Sequence, residues 1–287
     1  MGKKSFRGWI QLCAALIQNA NFKGFFTGQI YKGAGKSICV PGLNCYSCPG
    51  ALGACPIGSL QSALDSRPFR LPYYVVGFLL FFGALLGRAV CGFLCPFGFI
   101  QELIHKIPLP RKKLRTFRGD RPLRYLKYVI LAVFVIGLPL VMEYTPAFCK
   151  YICPAGTLEG GIPLVLIFGG KYNFQLGWLF SWKVGLLIGV LAACLFIYRP
   201  FCKYLCPLGA IYGCMNKYAL YRMRPEMEKC VRCGSCAKAC PMGVDPAKTP
   251  NSAECIRCGA CVRACPAGCL HLSFPRGEKN APQKEKA

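Results

Sequence analysis

Histidine is nearly absent from this sequence: His105 and His271 are the only two in 287 residues. With no Cys-x-x-Cys-His anywhere, attached haem is excluded, and His105, beside a basic loop, reads as a surface residue. No Gly-x-Gly-x-x-Gly and no P-loop occurs, which argues against direct binding of NAD(P)H or ATP. Acidic residues are also scarce, 11 Asp and Glu against 36 Lys and Arg, for a net charge of +25. The cations gather beside apolar runs rather than along one polar stripe. An anionic membrane surface therefore fits them better than nucleic acid.

What the chain has in excess is cysteine and apolar bulk: 22 Cys and 54% hydrophobic residues, with a mean hydropathy of +0.37. That apolar share exceeds the soluble range of about 45–50%. Disulfide scaffolds reach such cysteine density mainly in short secreted chains. Here the cysteines fall at metal-ligand spacings, often before proline. The N-terminus, Met1-Gly2-Lys3-Lys4 to Arg7 and then residues 9–17, resembles the charged and apolar regions of a signal peptide. Gln18-Asn19-Ala20-Asn21 is a poor cleavage site, so a retained anchor or partial span is expected.

Three apolar runs, residues 73–90, 125–142 and 178–198, approach the about 20 residues that cross a hydrocarbon core of about 30 Å. Buried core helices are the alternative. Residues 6–20 are a fourth, weaker candidate, and 162–170 is too short to span. Lys127, Ser181 and Lys183 interrupt two of the runs near their starts. Eight of the 19 residues from 106 to 124 are Lys or Arg (Lys106, Arg111, Lys112, Lys113, Arg115, Arg118, Arg121, Arg124), against five in the 52 residues 21–72. By the positive-inside bias the first loop is cytoplasmic and the second outside, with Arg67 and Arg70 running against that assignment. Everything after residue 198 then lies inside. Glu143 and Glu159 fall outside, as solvated loop carboxylates.

The C-terminal third carries Cys230-x2-Cys233-x2-Cys236-x3-Cys240-Pro241 and then Cys255-x2-Cys258-x2-Cys261-x3-Cys265-Pro266. This is the two-cluster bacterial ferredoxin run, in which the fourth cysteine of each run ligates the other cluster. Cluster I then takes Cys230, Cys233, Cys236 and Cys265; cluster II takes Cys255, Cys258, Cys261 and Cys240. Structural zinc is the competing reading, but zinc ribbons use paired knuckles rather than four cysteines in a row plus proline. Gly234 and Gly259 are expected to let backbone amides approach the sulfides.

A second constellation repeats four times: Cys55-Pro-x-Gly, Cys95-Pro-x-Gly, Cys153-Pro-x-Gly and Cys206-Pro-x-Gly. Three copies have a partner four positions earlier, Cys91, Cys149 and Cys202; the first has Cys48, with Cys45 as substitute. Such self-similarity indicates duplicated units. The topology pairs Cys91, Cys95, Cys202 and Cys206 as an inner membrane cluster. It pairs Cys48, Cys55, Cys149 and Cys153 as an outer one. Two-iron clusters, or pairing within each half, remain open. Cys13, Cys39, Cys194, Cys214 and Cys269 read as packing thiols, Cys39 being near enough to serve as a spare ligand.

Cys-x3-Cys-Pro pairs at membrane edges followed by a twin ferredoxin run resemble the NapH/NosR-type membrane polyferredoxins. The resemblance implies passage of electrons between a cytoplasmic or quinol donor and a redox partner on the other membrane face. The expected architecture is mainly α: a multi-span membrane helical domain with internal Cys-Pro repeats (1–224), a small α+β two-cluster ferredoxin domain (225–274) and a disordered tail (275–287). Two 4Fe–4S clusters are expected in the ferredoxin domain and two further Fe–S clusters in the membrane domain. Expected partners are membrane lipid, a donor such as ferredoxin, flavodoxin or quinol, and an extracytoplasmic acceptor such as a flavoprotein, with no nucleic acid. Lys229, Arg232, Lys238, Arg257 and Arg263 form a candidate docking face for an acidic carrier. The expected place is the cytoplasmic membrane, multi-pass, with the ferredoxin domain inside. An electron-transfer subunit fits better than a stand-alone enzyme; a quinol dehydrogenase subunit and a redox sensor or metal-centre assembly factor are the alternatives.

Overall fold

Cysteine followed by proline begins a helix four times. Cys55, Cys95, Cys153 and Cys206 take extended backbone angles at the N-cap, and the prolines after them occupy the first helical position. Proline suits that place because its φ is preset and its missing N–H would be unpaired there anyway. The computed structural model describes residues 6–66, 72–108, 114–142, 145–168 and 177–275. Lys3, Lys4, Arg67, Arg70, Arg111, Lys112, Lys113, Glu143 and the tail from residue 276 lie outside them.

The chain is mainly helical. Two helices, Asp120–Val141 and Trp178–Phe196, are long and apolar enough to cross a membrane. The run expected over 73–90 is shorter: Tyr73–Leu86 has 14 residues, about 21 Å of rise. It ends at Gly87, whose φ is +52° and where a Cβ would meet Asn216 and Arg257. The chain then restarts as Ala89–Phe93. Exposed apolar side chains, among them Leu80, Phe81, Val129, Val133 and Ile188, cover the outward faces of these helices. Tyr73, Tyr125 and Trp178 stand exposed near their ends. The N-terminal helix Arg7–Gln18 lies against Pro96–Lys106, where Arg7 pairs with Glu102 and its Nε donates to the Gly92 carbonyl at 2.9 Å.

Helices Asp120–Val141 and Pro154–Phe168 each contain a π-helical stretch, Leu131–Gly137 and Thr157–Gly161. Both stretches precede a proline inside the helix, Pro139 and Pro163. Such a proline lacks its N–H and crowds the carbonyl four residues back, and a widened turn relieves the crowding.

The ferredoxin module closes on one strand pair. β1 (Arg222–Pro225) runs antiparallel to β2 (Leu270–Ser273), with Met223 opposite Leu272; the pairing starts three residues before the expected boundary at 225. Short helices Ser235–Ala239 and Ala260–Ala264 start at Gly234 and Gly259, with φ of +71° and +72°, a conformation glycine reaches without steric penalty.

Buried ions fasten this module to the helical part. Glu254 accepts from Arg88 at 2.8 Å and pairs with Lys127, all three being buried. The lysine that interrupts an apolar run thus meets its counter-charge 127 residues later. Arg88 Nη1 also donates to the Ala253 carbonyl at 2.6 Å. Asn216 donates to the carbonyls of Ser252 and Cys255 at 2.6 and 3.0 Å.

Candidate iron–sulfur centres

The second and fourth repeats bring Cys91, Cys95, Cys202 and Cys206 together as buried electrostatic neighbours. Two guanidiniums cross between these repeats. Arg88 Nη2 donates to the Cys202 carbonyl at 2.9 Å, and Arg199 Nη1 donates to the Cys91 carbonyl. Each lies against the glycine of the opposite repeat: a Cβ on Gly98 would stand 2.9 Å from Arg199 Nη1, and one on Gly209 3.3 Å from Arg88 Nη2. Close approach therefore explains glycine in the Cys-Pro-x-Gly of these copies. The Gly98 and Gly209 amides donate to the Cys95 and Cys206 sulfurs, both at 3.4 Å. Gln101 completes the wall, its Nε2 3.2 Å from Cys202 Sγ and its Oε1 accepting from the Phe201 amide at 3.2 Å.

The first and third repeats build a second pocket on the same plan. Gln61 does for Cys149 what Gln101 does for Cys202: Nε2 lies 3.3 Å from the sulfur and Oε1 accepts from the Phe148 amide at 3.0 Å. Cys45, Cys55, Cys149 and Cys153 are the electrostatic neighbours here. Cys48, expected in that set, also neighbours Cys45, and its thiol donates to Asn19 Oδ1 at 3.6 Å. Room for Cys45 comes from the third repeat, where a Cβ on Gly156 or Gly160 would stand 3.6 or 3.5 Å from its sulfur. Glu159 is no solvated carboxylate: Oε2 accepts from the Cys45 amide at 2.7 Å, and buried Oε1 has no hydrogen-bond partner among the described residues.

Some residues escaped the sequence reading. Tyr212 is fully buried and electrostatically adjacent to Cys91 and Cys95 as well as to Cys55 and Cys39, so it stands between the two pockets. Its hydroxyl donates to the Pro41 carbonyl at 3.1 Å. The available signal was its repeat position, which Gln61, Gln101 and Glu159 fill in the other copies. Cys194, read as a packing thiol, lies 4.0 Å from Gln101 Oε1. His105 is half-buried rather than on the surface, its Nδ1 2.8 Å from the Cys194 carbonyl and its ring edge-on to Tyr198.

In the ferredoxin module, Cys240 lines one cavity with Cys255, Cys258 and Cys261. Cys265 lines another, of about 500 Å³, with Cys230, Cys233 and Cys236. Cys269 joins the second set, its sulfur 3.4 Å from that of Cys265. Burial pushes the Cys255 and Cys261 thiols up to about 11 and 12. The Ser235 hydroxyl holds the exposed Cys233 thiol below its ordinary range.

All 22 cysteines are free thiols. Among the described residues no three His, Cys, Asp or Glu are set to hold a single metal ion; thiols around a cubane stand farther apart than around one ion. The pocket of the second and fourth repeats fits a sulfide-rich anionic group: four thiols, amide donors, and buried Arg88 Nε and Arg199 Nη2 without hydrogen-bond partners among the described residues.

Comparison with known proteins agrees. The 4Fe–4S binding domain family matches three times, at residues 71–116, 127–171 and 178–227, and the 4Fe–4S dicluster domain family matches 222–266. Together they cover more than half of the chain. Relatives include the putative electron transport protein YccM of Escherichia coli, 31% identical over 55% of this chain and 42% of its own. Another is the methylamine utilization ferredoxin-type protein MauN of Paracoccus denitrificans, 30% identical over 63% and 59%. The regulatory protein NosR of Pseudomonas aeruginosa is 32% identical over 54% and 20%. The chain belongs to the NapH/NosR-type polyferredoxin family. It is an iron–sulfur electron-transfer protein. It spans less than two thirds of the length of these relatives, and no solved structure matches it.

Proposed function

We propose that this polyferredoxin conducts electrons through a membrane by way of four cubane sites in series. Cys230, Cys233, Cys236 and Cys265 hold the first, and Cys240, Cys255, Cys258 and Cys261 the second. Cys91, Cys95, Cys202 and Cys206 hold the third, on the cytoplasmic side. Cys45, Cys55, Cys149 and Cys153 hold the fourth, toward the outside. When bound, such clusters exchange single electrons, and the protein supplies spacing, burial and hydrogen bonds.

The observation that carries the reading is the matched construction of the two helical pockets, Gln101 against Cys202 and Gln61 against Cys149. A packing thiol needs no such duplicated wall. Their order follows from contacts: Arg88 reaches Glu254, next to Cys255, and Tyr212 lies between the two helical pockets. Two span-length helices with outward apolar faces and the basic stretch 106–124 support a membrane setting with the ferredoxin module in the cytoplasm.

The test is anaerobic iron and acid-labile sulfide per chain on detergent-purified protein, with EPR during stepwise reduction. Four cubanes give about sixteen of each. About eight of each, unchanged when Cys95 and Cys206 become Ser, would leave only the ferredoxin module as a carrier.

One observation favours a second entry point, for a quinol, at the helical part. A cavity of about 930 Å³, the size of a small-molecule site, opens between residues 21–32 and 164–168, and Gly24 at its wall packs against Pro49, close to Cys48. Cluster reduction by a short-chain quinol, abolished by Gly28→Trp, tests that reading.

A further inference from the structure

The two ferredoxin loops are near copies with opposite fates. Cys230-Val231-Arg232-Cys233 and Cys255-Ile256-Arg257-Cys258 share their spacing, and Arg232 and Arg257 share a left-handed backbone, φ +52° and +54°. In the second loop Ile256 is 1% exposed, and its carbonyl packs so closely on Gly92 that a Cβ there would collide. Arg257, offered by the sequence as a docking cation, is itself buried. Its guanidinium donates to the Leu86 carbonyl at 2.7 Å and the Asn216 carbonyl at 2.6 Å. Leu86 is the last residue of Tyr73–Leu86, and Asn216 caps the C-terminus of Pro207–Met215. The arginine thus satisfies carbonyls left free at two helix ends, where the helix dipole is negative. Loop two is a plug, an apolar residue beside a forked cation, that docks cluster II onto the helical part.

Loop one presents the same plug with nothing on it. Val231 is 68% exposed, residues 231 to 234 are all exposed, and Arg232 makes no hydrogen bond or ion pair with any described residue. Directly behind it lies the cavity lined by Cys230, Cys233, Cys236 and Cys265. Exposed Met227 extends the apolar surface. The surrounding charges are mixed: Lys229, Lys238 and Lys248 stand against Glu226, Glu228 and Asp245. Glu226 is already paired with Lys229 and His271, so bulk charge does not choose the partner; the fork does.

Resting on the four-site reading, we propose that loop one, Val231 with Arg232, is the port at which a separate soluble electron carrier docks over cluster I. The carrier's docking face offers free carbonyls or carboxylates beside a shallow apolar groove, the counterpart of what Leu86, Asn216 and Gly92 offer to loop two. Arg232 is a positioning residue: it brings the carrier's cofactor close to cluster I and takes no part in the transfer. One electron leaves the carrier and one arrives on cluster I, with no bond made or broken.

The experiment is stopped-flow reduction of the purified full chain by reduced flavodoxin, followed at the ferredoxin-type clusters, with dithionite as a small reductant that needs no docking. Arg232→Gly keeps the left-handed backbone without strain, and Val231→Ser removes the apolar contact. Each is expected to slow the second-order step with flavodoxin at least fivefold. Iron content and the dithionite rate stay unchanged, as does the flavodoxin rate of Lys217→Gln, an exposed cation away from the loop. Unchanged flavodoxin rates in both loop variants overturn the port, as does an equal slowing in Lys217→Gln. Because cluster I is read directly, a chain lacking helical clusters shows about eight iron yet still reports on the port.

Discussion

The two thiol pockets in the helical part share a scaffold and differ in charge. Both have a glutamine bracing the first cysteine of the facing repeat, and both set the second cysteine at a proline-started helix. Three positions before the first cysteine they diverge. The second and fourth repeats have Arg88 and Arg199, fully buried and reciprocal; the first and third have Gly42 and Pro146. Glu159 adds an acid to the latter pocket, where Lys36 and Lys183 donate to the carbonyls of Tyr46 and Cys149. A pair of guanidiniums in a low-dielectric site favours an added electron. The same ligand set is therefore expected to be easier to reduce between Arg88 and Arg199 than beside Glu159. Ligand geometry says where an electron can stop; the residues behind the ligands say how readily it does.

The largest effect tests the ligand set itself. Cys45→Ser is expected to lose about four iron per chain while Cys48→Ser keeps the full content, by iron and sulfide assay. Equal losses from both would return Cys48 to the ligand set. Next comes the charge difference. Arg199→Met removes one of two cationic partners of Glu102, 3.0 Å away, Arg7 remaining as the other, for a loss of about 1.5–3 kcal/mol by chemical denaturation. It should also lower the midpoint potential of the pocket it borders, leaving the other unmoved in an EPR titration. If both signals shift alike, the arginines act on the fold rather than on the site.

A smaller effect tests the likeness. Gln61→Leu and Gln101→Leu each leave a buried backbone N–H unpaired, at Phe148 and Phe201. The cost is about 1–3 kcal/mol, and the two losses should agree within error; a large disparity would separate the pockets. The smallest effect belongs to Tyr212. Tyr212→Phe forfeits only the hydrogen bond to Pro41, about 1 kcal/mol, and should leave electron exchange between the pockets unchanged in freeze-quench EPR. Tyr212→Leu, which removes the ring, should slow it.

Local spacing made the ferredoxin run and the Cys-Pro helix starts legible, since ligand spacing and proline at the first helical position act within a few residues. What stayed hidden was decided by distant neighbours. Cys45 and Cys48 are equally placed along the chain, and what favours Cys45 is its contact with Gly156 and Gly160 in another repeat. Lys127 looks like a flaw in an apolar helix until Glu254 is seen. Arg257 reads as a surface cation because nothing nearby announces that it seals two helix ends. The first apolar run is cut at Gly87, whose positive φ hydropathy does not register.

The ion group of Arg88, Lys127 and Glu254 also orders the birth of the protein in time. Both cations are synthesised well before the carboxylate leaves the ribosome. Until then two charges stand without a counter-ion at a site destined to be dry, an arrangement that favours an open nascent chain over a closed one. The last domain to be made is thus the one that locks the first, and a chain interrupted after residue 221 is expected to be cleared by proteases rather than to persist as a partial carrier.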